Sequence, residues 1–324
     1  THAKGLNPMS EVDERAVAET AAERREVRLY TLPDLPEAPP TFDAAYKYQD
    51  ALAAAVADEK GGIAGFKLAV NGAAQMAHFK VSEPVSARLF SDEVYKSGIA
   101  LPGSRFHALC VEPELAAIIG PGIRDTQDKV DRETVTGAIE MFRPAIELVD
   151  QHGASLPKIK LAQGIGLNVF NAGIVLGEGS IKPEHLSLPD LAVTLSINGE
   201  VTDETVGTAP QDPIEAVMWL INHLAPRKLS LAPGMVVMCG THIPLKPLPE
   251  GAREVEVTMG SLGPVSFSLT CPCGRAGQSG RHGPRAPGLS RHAVTSHNRP
   301  ATGTATAPIP EGRGGRCPPP RTAS

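Results

Sequence analysis

The chain has 324 residues, 41% of them hydrophobic and only 4% aromatic, with a formal net charge of −5. That is apolar material for one large core or two small ones, and no run of it is long enough to span a bilayer. From Cys271 onward eight Arg stand against one Glu, which leaves about −12 on the preceding residues, a balance that argues against a nucleic-acid partner. The charged, Ala/Glu-rich start lacks the apolar stretch of a signal peptide, so a soluble, cytoplasmic protein with no membrane partner is expected.

Residues 1–40 are charged and then Pro-rich (Pro33, Pro36, Pro39, Pro40), and are expected to form a loosely attached arm with one helix around Glu11 to Glu26. The folded body is expected over 41–269. It opens with an Ala-faced helix over Asp43 to Asp58, stopped by Gly61-Gly62, and continues into a strand over Ile63 to Val70.

The most informative stretch follows. Val111-Glu112-Pro113-Glu114-Leu115-Ala116-Ala117-Ile118-Ile119 sets two carboxylates one residue apart inside an apolar run. In an extended chain residues i and i+2 share a face, so Glu112 and Glu114 converge. Buried carboxylates without a partner are costly. A second short apolar run, Pro144 to Asp150, carries Glu147 in its middle and reads as another buried strand. Three carboxylates from two strands match the oxygen donors that Mg²⁺ or Mn²⁺ takes.

Further along, Leu191 to Ile197, Asn198-Gly199 and Glu200 to Val206 read as a hairpin with a type I′ turn. Asp212-Pro213-Ile214-Glu215 marks a helix start, with Asp at the N-cap and Pro at the first helical position. Strands are expected at Met235 to Cys239, Glu254 to Met259 and Val265 to Leu269. Strand exceeds helix without regular βαβ alternation, so the class is α+β. Cys110 and Cys239 sit in apolar runs as reduced core thiols, and Cys271-Pro-Cys273 has the wrong gap for a zinc pair. The segment 270–324, rich in Gly, Pro and Arg, is expected to be disordered.

Several pieces, taken in order, resemble the hydratase/decarboxylase branch of the fumarylacetoacetate hydrolase superfamily: Ala45-Tyr46-x-x-Gln49, Gly65-Phe66-Lys67, Val111-Glu112-x-Glu114-Leu115-Ala116, Pro144 to Asp150, Asn168 with Val175-Leu176-Gly177, Asn198-Gly199, Trp219-Leu220-x-Asn222-x-Leu224 and Met259 to Gly263. The resemblance spans roughly Thr41 to Leu269. It implies a mixed-sheet pseudo-barrel with a few flanking helices, a divalent metal (Mg²⁺ or Mn²⁺), and a small 2-oxo acid or its dienol as ligand. It also implies a homo-oligomer or a complex with a paralogous decarboxylase or hydratase.

Position by position, the resemblance makes Glu112, Glu114 and Glu147 metal ligands and Lys67 a lysine of the same pocket that moves protons. Asp92 falls near an acidic position of the family's pocket and is expected to place water; Asn168 is expected to bind the substrate carboxylate. Gln163, His107, His242 and Thr241 are weaker candidates. The chain departs from the pattern at Leu167-Asn168-Val169-Phe170, where an acid gives way to Leu and a small residue to a ring, which implies a drier, smaller pocket. The expected activity is hydration of a 2-hydroxy-2,4-dienoate in aromatic catabolism. Decarboxylation or C–C hydrolysis of a related 2-oxo acid, or a non-catalytic partner subunit, stay open.

Overall fold

A computed structural model describes residues 12–122 and 129–270; the segment expected to be disordered lies outside these, apart from Thr270. Six α-helices are described: α1 Glu14–Arg25, α2 Asp43–Ala57, α3 Ala73–Phe79, α4 Arg132–Ala138, α5 Leu161–Gly166 and α6 Pro213–Leu224. The strands are β1 Ile63–Ala69, β2 Val85–Phe90, β3 Val94–Lys96, β4 Ile99–Leu101, β5 Leu109–Ile119, β6 Ile139–Asp150, β7 Asn171–Leu176, β8 Ala192–Ile197, β9 Glu200–Val206, β10 Val236–Thr241, β11 Lys246–Pro247, β12 Glu254–Met259 and β13 Pro264–Leu269.

Among the described residues these strands make two mixed sheets. The larger runs β2-β1-β10-β5-β6-β7-β3, with β11 also on β5; the smaller runs β4-β13-β12-β8-β9. β1–β10, β3–β7 and β4–β13 are parallel, and the other pairings are antiparallel. The large sheet is rolled. Leu89 of β2, at one end of the order, packs in one cluster with Ile174 and Leu176 of β7 near the other, around Ala116, Ala145, Val236 and Met238. That cluster is the interior of a pseudo-barrel.

The central strand β5 serves two cores. Its even residues Ala116 and Ile118 join the barrel interior, whereas Val111, Leu115, Ala117 and Ile119 belong to a larger core shared with α6 and with Val193, Leu195, Val255, Val257 and Val265 of the second sheet. Burial on both faces explains why the stretch reads as a continuous apolar run rather than an alternation.

Local signals at the hairpin and at α6 act as expected. Asn198 and Gly199 both take positive φ, at 54° and 80°, as a type I′ turn requires. Asp212 accepts hydrogen bonds from the N–H groups of Ile214 and Glu215 and caps α6.

Residues 12–40 are fastened to the body, contrary to the expected loose attachment. α1 buries Val17 and Ala21 against α2, and its Arg24 donates to Glu93 and to the Asn171 carbonyl, both at 2.6 Å. The Pro-rich connection is held as well, since Gln163 donates to the Pro33 carbonyl and Glu37 accepts from the Ala162 N–H. These ties join residues 69 to 147 positions apart, so no local pattern announces them.

Gly65 marks where β1 and β10 come closest: a Cβ there would lie 1.9 Å from the Val236 carbonyl oxygen. Gly65→Ala is therefore expected to destabilise the fold by about 3 kcal/mol or more, since backbone cannot yield as a side chain does. Urea unfolding measures this, with Gly137→Ala, at a site with open space around it and no positive φ, as the reference.

Candidate metal centre

The register of β5 on β6 builds the site. Glu112 pairs directly with Glu147, and Glu114 pairs with Ala145, so both β5 carboxylates share the barrel-facing side with Glu147. One carboxylate oxygen from each lies within 4.8 Å of the others. Glu147 and Glu114 are buried, while Glu112 is half-buried and faces a cavity of about 460 Å³.

Pro113, between the two acids, has no N–H for the ladder. Its carbonyl accepts from His242 N–H at 2.9 Å, so the missing donor faces β10, where the register shifts between Met238 and Thr241. The shift frees the Gly240 N–H, which donates to Glu114 Oε2 at 2.8 Å. Gly240 takes φ +108°, and a Cβ there would lie 2.4 Å from Asn71 Nδ2; Asn71 in turn donates to the Cys239 carbonyl and braces the shifted segment.

Lys67 enters from β1, three strands from β6 in the sheet order. It is 2% exposed, and its Nζ donates to Glu147 Oε1. Three strand spacings are roughly 14 Å in a flat sheet, so this contact depends on the rolled shape.

One ammonium does not balance three carboxylates. Burial and the neighbouring acid Glu147 push Glu112 up to about 8, and burial with repulsion from Glu147 and Glu112 raises Glu114 well above its ordinary value against the Gly240 N–H. Burial also raises Glu147 against the pull of Lys67. Among the described residues, Glu147 Oε2 is buried without a hydrogen-bond partner. An orphaned carboxylate oxygen inside an all-oxygen donor set with surplus negative charge fits a hard divalent cation.

The structure does not bring the other expected residues to this point. Asp92 sits exposed on a 3₁₀ turn beside Gly61 and does not line the cavity; the buried acid of that turn is Glu93, paired with Arg24 and Lys60. Asn168 is buried, and both ends of its amide bind the Arg88 backbone: Oδ1 accepts from the N–H at 2.8 Å and Nδ2 donates to the carbonyl at 2.9 Å. Asn168 is thus tied to the backbone and does not line the cavity. Its neighbours Val169 and Phe170 do line the cavity. Gln163 holds the Pro-rich connection, His107 and His242 lie outside the lining, and Thr241 lines it while donating to neighbouring carbonyls.

Gln151 is a lining residue that the sequence reading passed over. Its signal was the period of two, since 147, 149 and 151 have the same parity and Val149 lines the cavity too.

Residues 71–269 match the family described as Fumarylacetoacetate (FAA) hydrolase C-terminal. The chain is 28% identical over 252 residues to 2-oxo-hept-4-ene-1,7-dioate hydratase of Escherichia coli, covering 75% of this chain and 91% of that one. It is also 28% identical over 216 residues to 2-hydroxyhexa-2,4-dienoate hydratase of Comamonas testosteroni, 64% of this chain and 78% of that one. Its fold matches 4-oxalocrotonate decarboxylase from Pseudomonas putida G7, complexed with magnesium and adipate, at a TM-score of 0.72 and 21% identity over 81% of this chain and all of that one. The described residues include no helix long and apolar enough to cross a membrane.

Two outcomes follow from the electrostatics. An unfolded glutamate titrates near about 4.3, so between there and about 8 the folded metal-free chain binds more protons than the unfolded one through Glu112. Its stability is then greatest at the acid end of that range and falls as pH rises to about 8; melting temperatures in chelator across pH 5 to 8 check the slope. Lys67→Met leaves Glu147 without its counter-charge and should cost about 3 kcal/mol or more at pH 8, less at pH 5, as measured by denaturant unfolding.

Proposed function

The chain belongs to the fumarylacetoacetate hydrolase family, and from that premise we propose that it is a divalent-metal-dependent hydro-lyase acting on a 2-hydroxy-2,4-dienoate, of the kind met in aromatic-compound catabolism. The observation that carries the reading is the convergence of Glu112, Glu114 and Glu147 beside Lys67, with Glu112, Glu114 and Lys67 lining one cavity and Glu147 buried behind them. The hydratase relatives support the reaction class, and the decarboxylase structure that holds magnesium supports the ion.

Glu112, Glu114 and Glu147 would hold Mg²⁺ or Mn²⁺. Bound there, such an ion would supply Lewis acidity toward the oxygens of an oxo acid. The chain supplies the rest. Lys67 Nζ, held by Glu147 Oε1 at the cavity wall, would as an ammonium give a proton to carbon and, left neutral by that transfer, take up the proton that the 2-hydroxyl loses as the ketone forms. Addition of water at C4 needs a polar group to orient it. Gln151, a polar side chain lining the same cavity, would serve for this. Gly240 N–H and the Asn71 brace keep Glu114 aimed at the centre. Residues 41–269 would form the catalytic unit, acting as a homo-oligomer on a small oxo acid, with the cytoplasm as the expected compartment.

Decarboxylation is the reading to separate from this one, because neither Asp92, expected to place water, nor Asn168, expected to bind the substrate carboxylate, lines the cavity. With Mg²⁺ present, loss of dienol absorbance accompanied by a 4-hydroxy-2-oxo acid and no CO₂ supports hydration. CO₂ release in step with substrate loss would replace hydration by decarboxylation, and no turnover with bound metal would favour the partner-subunit reading. Glu114→Gln should lower kcat/KM by more than about 100-fold, and Lys67→Met should lower kcat more than it raises KM.

A further inference from the structure

Away from the carboxylates the cavity changes character. Phe79 of α3, Val149 of β6, Leu156, Val169, Phe170 and Leu245 line it. Among the described lining residues there is no arginine, and the one lysine, Lys67, is bound to Glu147. His78, the other basic lining residue, is exposed.

Val169 and Phe170 are set by a particular backbone. Asn168, Val169 and Phe170 take φ of 53°, 43° and 58° in succession. The left-handed region is unfavourable for a β-branched residue such as Val169, and the run is pinned by the two hydrogen bonds between the Asn168 side chain and the Arg88 backbone, one accepted and one donated by the amide. The surrounding structure therefore over-determines a conformation that costs energy, at the place where two apolar side chains line the cavity.

A carboxylate pressed against this wall would lose its hydration and gain no counter-charge, which is strongly unfavourable; a hydrocarbon chain would gain from leaving water. We infer that the acid taken by this site carries a hydrocarbon tail beyond its 2-oxo-acid head, with no second carboxylate, and that Val169 and Phe170 shape the space for that tail. The inference rests on the proposed function for the placement of the head at the three glutamates.

The test is calorimetric binding of inert 2-oxo acids to the full chain with saturating Mg²⁺. Pyruvate reports the head alone, 2-oxobutanoate to 2-oxohexanoate the growing tail, and 2-oxoadipate the six-carbon acid with a second carboxylate. Affinity is expected to rise by about fourfold per buried methylene, and 2-oxoadipate to bind at least about tenfold more weakly than 2-oxohexanoate. Leu245→Arg, a half-buried lining position, should shift that ratio at least about tenfold toward 2-oxoadipate. A flat series, or 2-oxoadipate binding as well as 2-oxohexanoate, overturns the tail inference while pyruvate binding keeps the oxo-acid head. Absence of binding by every acid, pyruvate included, overturns both. Because the readout is binding, absence of turnover on dienoates would remove the hydro-lyase reading alone.

Discussion

Three glutamates pointing to one side of two paired strands, inside a rolled sheet, repel one another more strongly than one lysine can offset. Glu112 and Glu147 face each other across the β5–β6 ladder, and Glu114 follows one side-chain period away. Neither strand can slip by one residue to relieve this, because the opposite face of β5 is committed to the second core through Leu115, Ala117 and Ile119. The charge repulsion is thus built into the register that holds the two sheets together. A structure that keeps such a cluster gains when a cation enters, since the binding energy and the relief of repulsion act together.

The rest of the fold can be read as support for that arrangement. Rolling the large sheet lets Lys67 reach Glu147 from three strands away. The register shift opposite Pro113 turns a main-chain N–H at Gly240 toward Glu114, and Asn71 holds the shifted strand in place. Below the acids, Leu89, Ala116, Ala145 and Ile174 fill the barrel with apolar side chains, which keeps water from solvating the carboxylates from beneath. The left-handed run after α5 brings Val169 and Phe170 to the wall of the cavity beside them. Each device acts on orientation or on hydration, the two quantities that set how strongly a carboxylate cluster attracts a cation.

Much of this was legible in the sequence where the signal is local. The i, i+2 spacing of Glu112 and Glu114, the apolar run around Glu147, the Asn198-Gly199 turn and the Asp212 cap depend on neighbours along the chain, and the structure places them as read. Features made by distant pairs were not legible. Arg24 meets Glu93 across 69 residues and the Asn171 carbonyl across 147, so the first forty residues looked detachable. Asp92 and Glu93 are adjacent in sequence, yet one faces solvent and the other a buried arginine, a distinction that only the 3₁₀ turn decides. Asn168 looked like a ligand-binding amide because nothing local indicates that the Arg88 backbone occupies both of its ends.

The central claim is that the three glutamates form one divalent-cation site. Titration of Mn²⁺ into the full chain, followed by electron paramagnetic resonance of the free ion, tests it most directly by counting sites. The account predicts one tight site in the wild type, competed by Mg²⁺, and its loss or weakening by more than about 100-fold in Glu112→Gln, Glu114→Gln and Glu147→Gln alike. Tight Mn²⁺ binding that survives all three substitutions, or no tight binding in the wild type, would contradict it.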